Sequence, residues 1–193
     1  MRYDRLTRWL HAGIALGVTA QLGLSQFMEA PDDKDAELVT GLPLELFEVH
    51  ESLGMALLAL IALHWLWSLS GHVQGGIGHL FPWFSGERMA KVIAEAKEAL
   101  QLKLPDPDVS NEMAGAVHGL GLLATTAMAV SGAVIFFNLS ETGHMTELGE
   151  IFEEIHEVIA PLVWLYLIGH VATAVIHKRM GHTNVKEMFS LFK

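Results

Sequence analysis

Residues Phe152 to His177 read FEEIHEVIAPLVWLYLIGHVATAVIH, a stretch apolar for about a bilayer crossing that nevertheless carries three histidines. His156 and His170 stand 14 residues apart. At about 1.5 Å rise per residue they are roughly 21 Å apart along a helix axis. Steps of about 100° bring the second side chain back to within about 40° of the first. One helix therefore presents an imidazole near each membrane surface, both on one face. Ionisable side chains inside a membrane are costly, so their default reading is functional. The spacing suits two stacked metal centres, and haems are the metal groups expected there.

The whole chain agrees with a membrane setting. Of its 193 residues 51% are hydrophobic, yet the formal net charge is -10. Hydropathy points to lipid, so the acids must lie outside it. The size suits a single membrane domain over 1–193. No cysteine is present. That excludes disulfides, cysteine-ligated iron–sulfur clusters and a covalently attached c-type haem, which needs C-x-x-C-H. A metal must then be held by histidine, methionine or carboxylate. Met55 and Met128 offer thioethers, although the nine methionines mostly read as packing.

Three further apolar stretches precede this one, so the expected fold is all-α, an integral-membrane four-helix bundle. The expected helices are 9–27, 47–69, 114–138 and 155–176, each near the ~20 residues that a crossing requires. Arg2, Arg5 and Arg8 before the first stretch, with Val18-Thr19-Ala20 inside it, imitate a cleavable leader. The run continues through Leu24 and contains His11, which favours a retained helix. A linker over about 70–113 holds GERMAKVIAEAKEAL, Gly86–Leu100, with Met89, Val92, Ile93, Ala96 and Leu100 on one stripe. This reads as a short cytoplasmic interfacial helix between helices two and three. Pro105 and Pro107 are expected to end it. Pro161, between the helix-four histidines, marks an expected kink.

Orientation follows from the basic residues. All 12 lysines and arginines except Lys34 fall before helix one, between helices two and three, or after helix four. By the positive-inside rule both termini and the middle linker are cytoplasmic, in a bacterial inner (plasma) membrane. Trp9, Trp65, Trp67 and Trp83 fit an aromatic belt on that side. The opposite side carries acids from Glu29 to Glu51 and from Glu141 to Glu157. They keep that surface soluble, and they would also suit a cationic electron-transfer partner.

Six of the 11 histidines lie within the spans: His11, His50, His64, His118, His156 and His170. His50 and His156 lie at the outer ends of helices two and four and could bind one iron from opposite sides. His170 lies deeper and has three candidate partners, His64, His118 and His11, of which depth counting favours His64. His72, His79, His144, His177 and His182 fall in loops or at helix ends and receive no role. One such histidine would read as helix–helix hydrogen bonding, but four at matched depths point to ligands. Gly13, Gly17, Gly115 and Gly119 suit either close helix packing or a porphyrin.

RLTRWLH in helix one, VHESLG opening helix two, IHE…LIGH in helix four and the VATAVIHK tail together resemble the prokaryotic cytochrome b561 family. They are also similar to the related b-type cytochrome subunits of nickel–iron hydrogenases. The resemblance implies two non-covalent b-type haems with axial ligands His11, His50, His156 and His170. The implied pairs are His50 with His156 and His11 with His170. His64 imitates the helix-four spacing and remains a second candidate for the inner site. His118 is expected to contact a propionate or a quinone. The resemblance also supplies the quinone, and with it electron transfer across the membrane between a quinone pool and a periplasmic redox partner.

Two other readings compete. One is a histidine-lined proton or divalent-metal transporter, which would place acids within the spans, where almost none occur. The other is a superoxide-oxidising quinone reductase, against which the acidic outer face argues. No phosphate-binding glycine loop, nucleophile elbow or basic nucleic-acid patch is present.

Overall fold

The computed structural model of the chain describes residues 4–31, 39–71, 76–101, 112–180 and 188. Pro105, Pro107, His72, His182, Lys34, Lys103, Lys186, Lys193 and the acids Asp32 to Glu37 lie outside these residues. The described residues form α1 (Arg5–Leu24), α2 (Leu42–Leu69), α3 (Gly76–Leu80), α4 (Gly86–Leu100), α5 (Glu112–Asn138) and α6 (Glu147–Arg179). A 3₁₀ turn, Pro82–Phe84, joins α3 to α4. No sheet occurs among the described residues, and Leu139 with Met145 makes an isolated bridge. The protein is all-α.

Helices α2, α5 and α6 are long and apolar enough to cross a membrane. α1 falls outside that group, since Arg5, Arg8 and His11 interrupt its apolar character. The apolar stretches understate the helices at several ends. α2 begins at Leu42 rather than 47, because Pro43 in a first turn gives up only an N–H that has no helical partner. Gly41 supplies the left-handed turn before it, with φ 73°. α6 begins at Glu147 rather than 155, since Glu147 and Glu150 suit the positive end of a helix dipole. Its 33 residues make it about 50 Å long, well over the ~30 Å of a hydrocarbon core. α1 in turn ends at Leu24, three residues short of the expected end, and Ser25–Phe27 form a turn.

α6 runs unbroken through Pro161. Proline lacks the N–H that would bond the Glu157 carbonyl one turn earlier. α4 matches the expected helix from end to end, capped by Ser85, whose hydroxyl accepts from Arg88 N–H. The short α3 was not evident in the sequence.

Side-chain exposure along α2, α5 and α6 suits lipid contact. Leu165 is 70% exposed and Phe137 73%. Water would penalise so much apolar surface, whereas a bilayer does not. The described residues fall into two compact units. One comprises Met1–Ala12, Leu63–Leu123 and Tyr166–Lys193; the other comprises Gly13–Ala62 and Ala124–Leu165.

In the first unit, α3 lies on α5 where Gly115 and Gly119 leave no side chain. The carbonyls of His79 and Leu80 occupy the places their Cβ atoms would need. Those two glycines are packing residues. Glu95 of α4 reaches the start of α5, its carboxylate accepting from the N–H groups of Glu112 (3.3 Å) and Met113 (2.8 Å). A carboxylate there satisfies two otherwise unpaired donors and complements the helix dipole. Trp65 stacks on Phe81 at 5.6 Å, and Trp83 meets Phe81 edge-on. At the start of α1, Thr7 N–H donates to Asp4 Oδ1 at 2.8 Å, and Trp67 Nε1 donates to the Thr7 hydroxyl at 3.1 Å.

In the second unit the packed residues include Leu22, Leu57, Ile61 and Val163. Gly13 and Gly17 of α1 face Leu60 and Leu57 of α2, which makes them packing residues too. Asn138 and Thr146 close the connection between α5 and α6. Thr146 N–H donates to the Asn138 carbonyl at 3.1 Å, and its hydroxyl donates to Asn138 Oδ1 at 2.7 Å.

Candidate metal centres

The second unit brings the rings of His50 of α2 and His156 of α6 close together. Their ring centres lie 6.5 Å apart with planes at 79°. A ring nitrogen lies about 1.1 Å from its centre and a metal–imidazole bond is about 2.0 Å, so two imidazoles on opposite sides of one ion stand about 6.2 Å apart. The gap therefore fits one ion. Both rings line a cavity of about 270 Å³, with Gly54, Met55, Met128 and Gly132 also on its wall. Gly54 is one turn beyond His50, on the same side of α2. At Gly132 a Cβ would come within 3.3 Å of His156 Cε1. Small residues thus leave space for a flat group beside the two imidazoles.

Polar partners hold this pair. The Gln21 side-chain amide of α1 donates to the His50 carbonyl at 2.8 Å. Ser131 of α5 hydrogen-bonds His156 Nδ1 at 2.8 Å, and its hydroxyl also reaches the Met128 carbonyl at 3.1 Å. His50 Nδ1 and Gln21 Oε1 are buried without a hydrogen-bond partner among the described residues.

The first unit gathers three imidazoles. His170 of α6 lies 6.2 Å from His11 of α1, with planes at 53°. This separation also fits one ion between two rings. His118 of α5 is closer to His170, at 5.4 Å and edge-on. That leaves no room for an ion between opposed rings, so His118 packs against His170 directly. Tyr166, one turn before His170, stacks on its ring at 5.5 Å and 15°. Gly121 of α5 makes room for the phenol, which occupies the place a Cβ would take. His64, which depth counting favours, instead meets Ser68 through Nδ1 at 3.3 Å. No ring contact joins His64 to His170 among the described residues. Arg8 is buried (8% exposed) one turn before His11.

Among the described residues no three His, Asp or Glu side chains converge as a metal site built from protein ligands alone. His50 with His156 and His11 with His170 instead each bring two imidazoles to about the separation that a single ion between them would need. Residues 2–191 match the family described as prokaryotic cytochrome b561. The chain belongs to this family. Membership in the cytochrome b561 family implies a membrane protein that binds b-type haem and transfers electrons. No curated protein and no solved structure matches the chain.

Gln21, Ser131, Tyr166 and Gly132 escaped the sequence reading. Gly54 was legible in VHESLG as a small residue one turn from a histidine. Tyr166 stands one turn before His170 on the same helix and was legible in the same way, whereas Gln21, Ser131 and Gly132 give no local signal because each is defined by a contact with a different helix.

His79, assigned no role from sequence, pairs with Glu112 at 3.3 Å.

Proposed function

We propose that the protein is a di-haem b-type cytochrome that carries electrons across the bacterial inner membrane, between a quinone pool and a periplasmic redox partner. His50 and His156 are the axial ligands of an outer haem, and His11 and His170 those of an inner one. The observation that carries this reading is the pair of ring separations, 6.5 and 6.2 Å, both made by histidines of α6 on one helix face. Bound haem with two axial imidazoles supplies reversible one-electron exchange and no open position for oxygen. The chain's part is to hold the imidazoles apart, shape the space between them and exclude water.

α1 is the fourth crossing, completing a four-helix bundle, and both termini are cytoplasmic. α4 lies along the cytoplasmic membrane surface. Its Met89, Ile93 and Leu100 are exposed on one stripe, while Lys91 and Glu87 pair at 2.9 Å on another side. Interfacial helices divide their faces in this way. His118 is a polar contact for the quinone or for a haem propionate.

The outer acids suit a cationic protein partner. Glu51, Glu153 and Glu157 line the cavity that holds His50 and His156. An anionic substrate such as superoxide would be repelled there, which weighs against the superoxide-oxidising reading.

The test is a haem-to-protein ratio with a visible spectrum of the purified protein. Two haems per chain are expected, with a Soret band and sharp α and β bands on reduction. His156→Ala and His170→Ala should each leave one haem. A colourless protein from haem-sufficient cells, or full haem in either variant, contradicts the assignment.

A further inference from the structure

The outer site contains a hydroxyl whose position beside His156 implies a role in setting that ligand. Ser131 is 1% exposed and sits on α5 with its Oγ 2.8 Å from His156 Nδ1 and 3.1 Å from the Met128 carbonyl. A serine hydroxyl has one proton to give. A backbone carbonyl can only accept, so both contacts form together only when the hydroxyl donates to Met128 and accepts from His156. That arrangement requires the imidazole proton on Nδ1. Nε2 is then left with its lone pair, which is the form that binds a metal. With the proton on Nε2 instead, Ser131 would have to give its proton to Nδ1, and the contact to Met128 would hold no hydrogen bond.

We infer that Ser131 is a positioning residue that fixes His156 as the Nδ1–H tautomer and makes its Nε2 the more basic of the two outer ligands. The inference rests on the ligand reading of His50 and His156. A hydrogen bond accepted from the far side of a ligating imidazole raises the ligand's basicity and fixes the ring's orientation. A more basic ligand favours ferric over ferrous iron, so Ser131 holds the potential of the outer haem down. His50 has no counterpart, since its Nδ1 meets no partner among the described residues. His170 is steadied differently, by the face of Tyr166.

The experiment is a redox titration of the haem-loaded protein, followed in the visible bands, with the ferric g-values read by electron paramagnetic resonance. In Ser131→Ala the midpoint potential of the haem that depends on His156 should rise and its g-values shift, while the other haem stays at its wild-type potential. Ser131→Cys keeps the shape with a weaker acceptor and should give a smaller rise. Wild-type potentials and g-values in both variants, with two haems bound, overturn the proposal. If the alanine variant loses the outer haem, the cysteine variant decides: a raised potential supports the proposal and a wild-type one overturns it. Retention of both haems in His156→Ala would remove the underlying ligand assignment instead, which separates the two failures.

Discussion

The two histidine pairs have nearly the same separation and very different surroundings. His50 and His156 both line an open cavity, and their fittings are polar: a serine on one ring and a glutamine on the backbone of the other. His11 and His170 are set among rings, with His118 edge-on and Tyr166 stacked against His170. A hydrogen bond adjusts the electrons of a ligand, whereas an aromatic face mainly fixes its orientation. If both pairs ligate as proposed, the ligand is tuned at one site and held in orientation at the other.

The sharpest way to break this comparison is at the inner pair. His11→Ala should remove one of two haems, and His64→Ala should keep both. The reverse result in haem content would give the inner site to His64 and would make the 6.2 Å approach of His11 incidental.

Two glycines probe how tightly each site is packed. Gly121→Ala would displace the Tyr166 ring, and overpacking of this kind typically costs about 1–3 kcal/mol. It should loosen the inner haem, seen as a broadened or shifted α band. Gly132→Ala asks His156 to yield only a few tenths of an ångström. The ~1 kcal/mol by which alanine favours a helix over glycine offsets part of that, so the outer haem should be retained with a small spectral shift. Equal effects at the two positions would mean that the sites are equally crowded.

Smaller still is the expected salt effect. If the outer acids steer a cationic partner, electron transfer to it should slow as ionic strength rises, because screening shortens the reach of exposed charge. Rates indifferent to salt would reduce those acids to solubility and topology.

The smallest effect belongs to the cap of α1, the helix that carries His11. Partial burial pushes the Asp4 carboxyl up, but the hydrogen bonds from Thr7 outweigh it and hold the carboxyl below its usual range. A depressed folded-state pKa contributes stability above the unfolded value, near pH 4, and that stability is lost as pH falls through the folded one. Asp4→Ala should cost about 1 kcal/mol of thermal stability at neutral pH. The difference from wild type should shrink in acid.

Much of this architecture was legible because it depends on neighbours along the chain. Helical periodicity over Gly86–Leu100 defined α4, and apolar length defined the crossing parts of α2, α5 and α6. Boundaries were less legible, since apolar length registers what suits lipid and not what is helical: α2 and α6 continue into acidic turns beyond it. The 14-residue spacing placed His156 and His170 on one face of one helix by arithmetic alone. Which histidine meets His170 was not decidable that way, because His11, His64 and His118 differ in depth by less than a helix tilt can absorb.

What the sequence by itself determined is an all-α membrane chain with a histidine-bearing helix, since hydropathy and helical pitch are local properties. Only the tertiary structure decided which ring faces which, and that Ser131 and Gln21 attend them. Those relations depend on the rotation and register of one helix against another, which are set by packing between residues far apart in the chain.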